Sequence, residues 1–139
     1  MNDRVFFDTN VPLYLLSGNI ALAARAEALL AGGGAVSVQV LNEFASVTSK
    51  KLRMTWIEIG ELLAGIRASC EVIPLTVDVH KLGLAIAERH KLSVYDGMIW
   101  AAAMLSECSI LYSEAPCSKI HSLARFEHAL RADRPVRIT

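Results

Sequence analysis

The sequence predicts a small α/β domain in which helices pack on a buried parallel sheet. The chain has 139 residues, 53% of them hydrophobic and 20% charged, which is one domain's worth of polypeptide with enough apolar material for a core. Ala, Leu, Val and Ile dominate the apolar fraction and aromatics make up only 6%, a balance that suits helices on a sheet better than a sandwich built on aromatic pairs. Four short β-prone runs, at 4–8, 35–38, 70–74 and 109–112, are separated by helical material, with no internal repeat or low-complexity segment between them.

Each element has its own local signal. RVFFD at 4–8 is a β-rich run ending on an acid, and TNVPLYLLSG then begins a loop or helix with Pro12 at an early helical position. Ile20 to Leu30 is rich in good helix formers, and Gly32–Gly33–Gly34 ends it. AVSV at 35–38 is a short strand whose Ser37 is placed to cap the helix carrying Gln39, Val40, Glu43 and Phe44. Thr55 followed three residues later by Glu58 is a capping-box pattern ahead of WIEIGELLAGI. The segment from Cys70 to Leu75 reads as a strand ending near Pro74, with Thr76 or Asp78 starting the next helix. Ser93 to Asp96 leads into GMIWAAAML, a buried helix with Asp96 in its first turn, and CSILYS at 108–113 reads as a buried strand. A helix between Ser122 and Ala132 and an edge strand from Val136 to Ile138 complete the expectation.

Charge and cysteine content narrow the function classes. Fourteen basic and fourteen acidic residues cancel, so no global basic field points to nucleic acid, and any polyanion site must be local. The cancellation hides an asymmetry: residues 1–118 carry 9 basic and 12 acidic side chains, whereas 119–139 carry 5 and 2. Arg125, Arg131, Arg134 and Arg137 are therefore either a solvated face or an approach for phosphates. Cys70, Cys108 and Cys117 match neither CxxC nor a zinc-ligand spacing, which favours a reducing compartment over a disulfide scaffold. The opening MNDRVFFDTN lacks the features of a secretory leader, and no apolar run reaches the roughly 18 residues a membrane span needs. A cytoplasmic protein is expected.

Four acids stand at positions where chemistry gathers in such folds. Asp8 and Glu114 follow predicted strands, while Glu43 and Asp96 lie on helices that start near strand ends, so the four are placed to converge beyond the carboxyl ends of the sheet. Converging carboxylates repel one another unless a cation or protons intervene, and Mg²⁺ or Mn²⁺ is the hard-oxygen cation that suits them. The pattern predicts metal-assisted hydrolysis of a phosphodiester in RNA or DNA. Each acid also has an ordinary reading: Asp8 as a helix cap, Glu43 as an exposed helix residue, Asp96 as a favourable charge at a helix N-terminus, Glu114 as a loop acid before Ala115–Pro116. Thr9, Asn10 and Ser113 are short polar residues that either orient these carboxylates or make turn and cap hydrogen bonds. The histidines, His80, His90, His121 and His128, stand in no motif, and the triple glycine lacks the lysine of a phosphate loop.

Taken together, FDTN at 7–10, SVQVLNEF at 37–44, YDGMIWAAA at 95–103 and LYSE at 111–114 resemble the PIN-domain family, especially VapC-like toxin ribonucleases. The resemblance spans nearly the whole chain and implies a three-layer α/β/α sandwich around a mostly parallel sheet. It further implies a divalent-metal endoribonuclease, with Mg²⁺ or Mn²⁺ as cofactor and RNA as substrate, neutralised by a cognate antitoxin and often homodimeric. By motif, Asp8, Glu43 and Asp96 take the places of the family's catalytic and metal-binding acids, with Glu114 as an accompanying ligand. The family commonly places an aspartate after this glutamate, where this chain has Ala115. That departure sets a second expectation beside the first: a catalytically weakened PIN-like module that binds antitoxin or RNA. The apolar residues Trp56, Ile57, Ile59, Leu62 and Leu63 are read either as a homodimer seam or antitoxin groove, or as core.

Overall fold

The computed structural model describes residues 4–113. Ten elements follow in order: β1 (Val5–Phe7), α1 (Asn10–Tyr14), α2 (Ile20–Ala31), β2 (Ala35–Ser37), α3 (Val38–Lys50), α4 (Trp56–Ser69), β3 (Glu71–Ile73), α5 (Val77–His90), α6 (Val94–Leu105) and β4 (Ile110–Tyr112). All four strands predicted within this span are present, each trimmed to three residues. The helix from 122 and the strand from 136, like Glu114, Ala115, Cys117 and the C-terminal arginines, lie outside the described residues.

The boundaries follow from hydroxyl and amide caps that the sequence places in the right spots. Asn19 accepts from Leu22 N at the start of α2, and Ser37 from Val40 N (3.2 Å) at the start of α3. Thr55 and Glu58 form the reciprocal capping box of α4, with Glu58 Oε1 accepting from Thr55 N at 2.9 Å and Thr55 Oγ1 from Glu58 N at 3.2 Å. Of the two candidates for α5 the cap is Thr76, with Asp78 in the first turn, where its charge complements the helix dipole. After α2 the chain turns through Gly33 at φ +82°, a backbone state glycine adopts without strain.

The strands form one parallel sheet in the order β3-β2-β1-β4. From β1 the chain steps to β2 and β3 on one side, then returns across the sheet to β4 on the other. Right-handed crossovers therefore put α1–α4 on one face and α5–α6 on the opposite face, giving the three layers. The centre of the core is Phe6 and Phe7 of β1, Val36 of β2, Val40 and Phe44 of α3, and the run Gly97–Met104 of α6, all buried. No described helix is long and apolar enough to cross a membrane. Cys70 and Cys108 are buried and not bridged to one another.

Candidate active site

The topological switch falls between β1 and β4, which pair Val5 with Ile110, Phe6 with Leu111 and Phe7 with Tyr112. The next residues out of that register are Asp8 and Ser113, at the carboxyl ends of the two strands. The ladder continues one step, Asp8 N donating to Tyr112 O at 3.0 Å, and the Ser113 hydroxyl donates to Asp8 Oδ2. Asp8 Oδ1 accepts from Thr9 N at 2.6 Å. Asp8 is thus no helix cap, since its side chain is consumed at the strand ends and α1 has no side-chain cap.

Glu43 reaches the same place from α3. Its Oε1 accepts from Thr9 Oγ1 at 2.9 Å and its Oε2 from Gln39 Nε2 at 3.0 Å, so one donor on the β1–α1 turn and one from a helical turn earlier fix the carboxylate. Thr9 consequently ties Asp8 to Glu43, donating to one through its amide and to the other through its hydroxyl. Asp96 arrives from the first turn of α6, where Ser93 Oγ accepts from Asp96 N at 3.1 Å.

Electrostatics binds the three acids into one site. Asp8 is only 5% exposed, and burial is the main cause that raises its pKa to about 6. Hydrogen bonds from Ser113 and Thr9 pull it down, and the charges of Asp96 and Glu43 push it further up. Asp96 is half-buried and its pKa is likewise raised, first by desolvation and then by Glu43, against the Ser93 hydrogen bond. Like charges coupled in a water-poor recess favour a cation. Among the described residues no three His, Cys, Asp or Glu side chains close into a ready-made cage. The donor set nevertheless fits a small hard divalent ion, which takes one or two carboxylates and keeps several waters. Glu114 lies outside the described residues.

The hydroxyls of Thr9 and Ser113 orient carboxylates, one of the two roles open to them from sequence. Gln39 and Tyr95 are the residues that sequence reasoning missed. Tyr95 is 62% exposed and lines, with Asn10, Leu13, Asn42, Glu43 and Val47, a cleft of about 490 Å³ beside the acids. His90 packs its ring on Trp100, 5.0 Å between centroids, as a residue of the α5–α6 interface.

A parallel α/β domain with carboxylates gathered at the switch point has the oxygen donors that suit a divalent ion. The sequence profile of the PIN domain matches residues 5–115, and the chain belongs to that family. No curated protein sequence matches it. Solved structures share the fold, among them three from toxin–antitoxin systems. A toxin–antitoxin complex from Klebsiella pneumoniae is 23% identical, with a TM-score of 0.62 over 84% of this chain and 92% of that one. VapC20 of Mycobacterium tuberculosis, described as a sarcin-ricin loop cleaving toxin, is 20% identical with a TM-score of 0.65 over 78% and 88%. VapBC2 of Rickettsia felis, bound to a DNA fragment from its promoter, is 19% identical with a TM-score of 0.57 over 87% and 91%.

Proposed function

We propose that the protein is a divalent-metal-dependent endoribonuclease, the toxin of a toxin–antitoxin pair, acting in the cytoplasm as a single domain. The observation that carries this reading is the coupled trio Asp8, Glu43 and Asp96 at the β1/β4 switch point of a PIN fold. Toxin–antitoxin membership among its structural neighbours supports the biological setting.

Asp8 and Asp96 would hold Mg²⁺ or Mn²⁺, with Glu114 as a further oxygen donor. When bound, the ion supplies the positive charge that offsets the scissile phosphate and activates water for attack. Thr9 and Ser113 keep the Asp8 oxygens oriented, so that little reorganisation accompanies the reaction. Glu43, held by Thr9 and Gln39, positions the attacking water. Phe6, Phe7 and Leu111 are fully buried in the two strands that lead to Asp8 and Ser113, so the strand ends rest on a dry core.

The antitoxin would seat an apolar segment in the groove of about 380 Å³ lined by Pro12, Leu16, Leu30, Phe44, Leu62 and Ile66. Trp56 and Ile57, 73% and 77% exposed, lie on the same helix as Leu62 and Ile66 and are available to the antitoxin or to a second copy in a homodimer.

Incubating the purified protein with structured and single-stranded RNAs should give cleavage with Mg²⁺ or Mn²⁺ and none with EDTA. Asp8→Asn and Asp96→Asn should each lose cleavage while staying folded; cleavage at the wild-type rate by both would sink the site assignment. Ala115, standing where the family commonly has an aspartate, favours a second reading: a module that binds RNA or antitoxin without cutting. Restoration of cleavage by Ala115→Asp in an otherwise inactive protein would establish that reading.

A further inference from the structure

We propose that the cleft between α1, α3 and the start of α6 is a subsite for one unpaired nucleobase of the RNA, with Tyr95 as its stacking platform. The proposal rests on the ribonuclease reading and names the substrate conformation that the site selects. Tyr95 immediately precedes Asp96, and the cleft it lines shares Glu43 with the acidic site, so whatever occupies the cleft is adjacent to a phosphate held at the acids. Asn10, Asn42 and Gln39 bring amide groups to the walls, and Leu13 and Val47 bring apolar surface. Among the described residues no lysine or arginine lines it. A second phosphate therefore finds no counter-charge on these walls and would meet Glu43 instead, whereas a neutral heterocycle with donors and acceptors on its edge meets a matching surface.

Tyr95 is 62% exposed at the end of a helix in which Gly97–Met104 are buried core. Stacking a base on it covers apolar surface that the fold leaves in water, and it does so without regard to sequence, since every base has a π-face. The asparagines would then supply what base preference there is. A base held in a stacked helix is not available to such a cleft, so the substrate must be single-stranded, looped or bulged at the nucleotide beside the cut.

The test uses the full chain carrying Asp8→Asn, so that RNA stays intact, with a fluorescently labelled short single-stranded RNA of mixed sequence and the same RNA annealed into duplex. Adding Tyr95→Ala should weaken single-strand binding about five- to a hundredfold. Tyr95→Phe should keep it, and duplex binding should not change. Melting temperature should be the same for all Tyr95 variants, because the side chain is exposed. Single-strand binding that is absent in the Asp8→Asn protein, or equal with and without Tyr95→Ala, overturns the subsite. So does an equal loss on duplex, which would assign Tyr95 to general affinity, or a loss that Phe does not rescue, which would assign the contact to the phenolic hydroxyl in place of the ring face. If the selective loss is found but the wild-type protein cuts nothing, the subsite stands and the catalytic reading falls.

Discussion

The Asp8 carboxylate accepts hydrogen bonds from the Thr9 amide and the Ser113 hydroxyl, yet burial and two neighbouring acids still hold its pKa at about 6. An unfolded chain releases this proton near the ordinary aspartate value of 3.8, so between about pH 4 and 6 the folded state binds more protons than the unfolded one. Stability of the metal-free protein therefore falls as pH rises through that window, by about 2–3 kcal/mol in all, and the loss is complete above it. Asp8→Asn removes the charge and keeps the shape, with an amide that Ser113 can accept from. Chemical denaturation should find this variant more stable than wild type at pH 7.5 without divalent ions, with the difference vanishing near pH 4, while cleavage is lost. Thr9→Val probes a different link: it leaves the backbone bond to Asp8 but deprives Glu43 of the hydroxyl donor. Activity or metal affinity should drop about 10- to 100-fold with little change in melting temperature, which kinetics and calorimetry on the same preparation would check.

At the scale of elements, α5 and α6 cross so closely that glycine is required at the contact. A methyl group at Gly97 would overlap the Gly83 carbonyl and lie 3.0 Å from Ala87 Cβ, and one at Gly83 would lie 3.0 Å from Met98 Cα. Gly97→Ala should cost about 1–3 kcal/mol in a denaturation experiment and, because Asp96 is the adjacent residue, reduce activity more than the stability loss alone accounts for. Thr55→Ala is its counterpart on α4: losing the capping box should cost about 1 kcal/mol with kcat unchanged, since that helix start stands apart from Asp8, Glu43 and Asp96. Caps of this kind made the fold legible in sequence. A hydroxyl or amide directly ahead of an apolar periodic run is where an open helix end needs an acceptor, and Ser37, Thr55, Thr76 and Ser93 all cap as such patterns imply. Asp8, Glu43 and Asp96 were legible as candidates because each sits at the end of a strand or on a helix that starts near one. Gln39 and Tyr95 were not, because an amide or an aromatic ring on a helix surface has one sequence signature whether it faces solvent, a carboxylate or a cleft. The depth of Asp8 was hidden too, since burial at the switch point depends on β4, which lies about 100 residues further along the chain and closes beside it.

For the whole molecule, neutrality is an average over a chain in which Asp8, Glu43 and Asp96 converge at one end of the sheet, where a divalent ion at the proposed site would compete with protons for Asp8. A divalent ion at the proposed site would bind the ionised form of Asp8, so near pH 6, where that carboxyl is partly protonated, its binding would release protons, and at pH 8 it would not. Calorimetric titration with Mg²⁺ or Mn²⁺ in buffers of different ionisation enthalpy should therefore give a buffer-dependent heat at pH 6 that disappears at pH 8. The same linkage sets thermal stability: an ion that binds only the folded state raises the melting temperature with its concentration, by an amount that shrinks as pH falls below about 6. The ion would thus restore at neutral pH the stability that the charged site forfeits. Binding heats identical in all buffers at pH 6 would mean that the ion does not displace the Asp8 proton. Metal-induced stabilisation that survives in Asp8→Asn would place the ion elsewhere on the molecule.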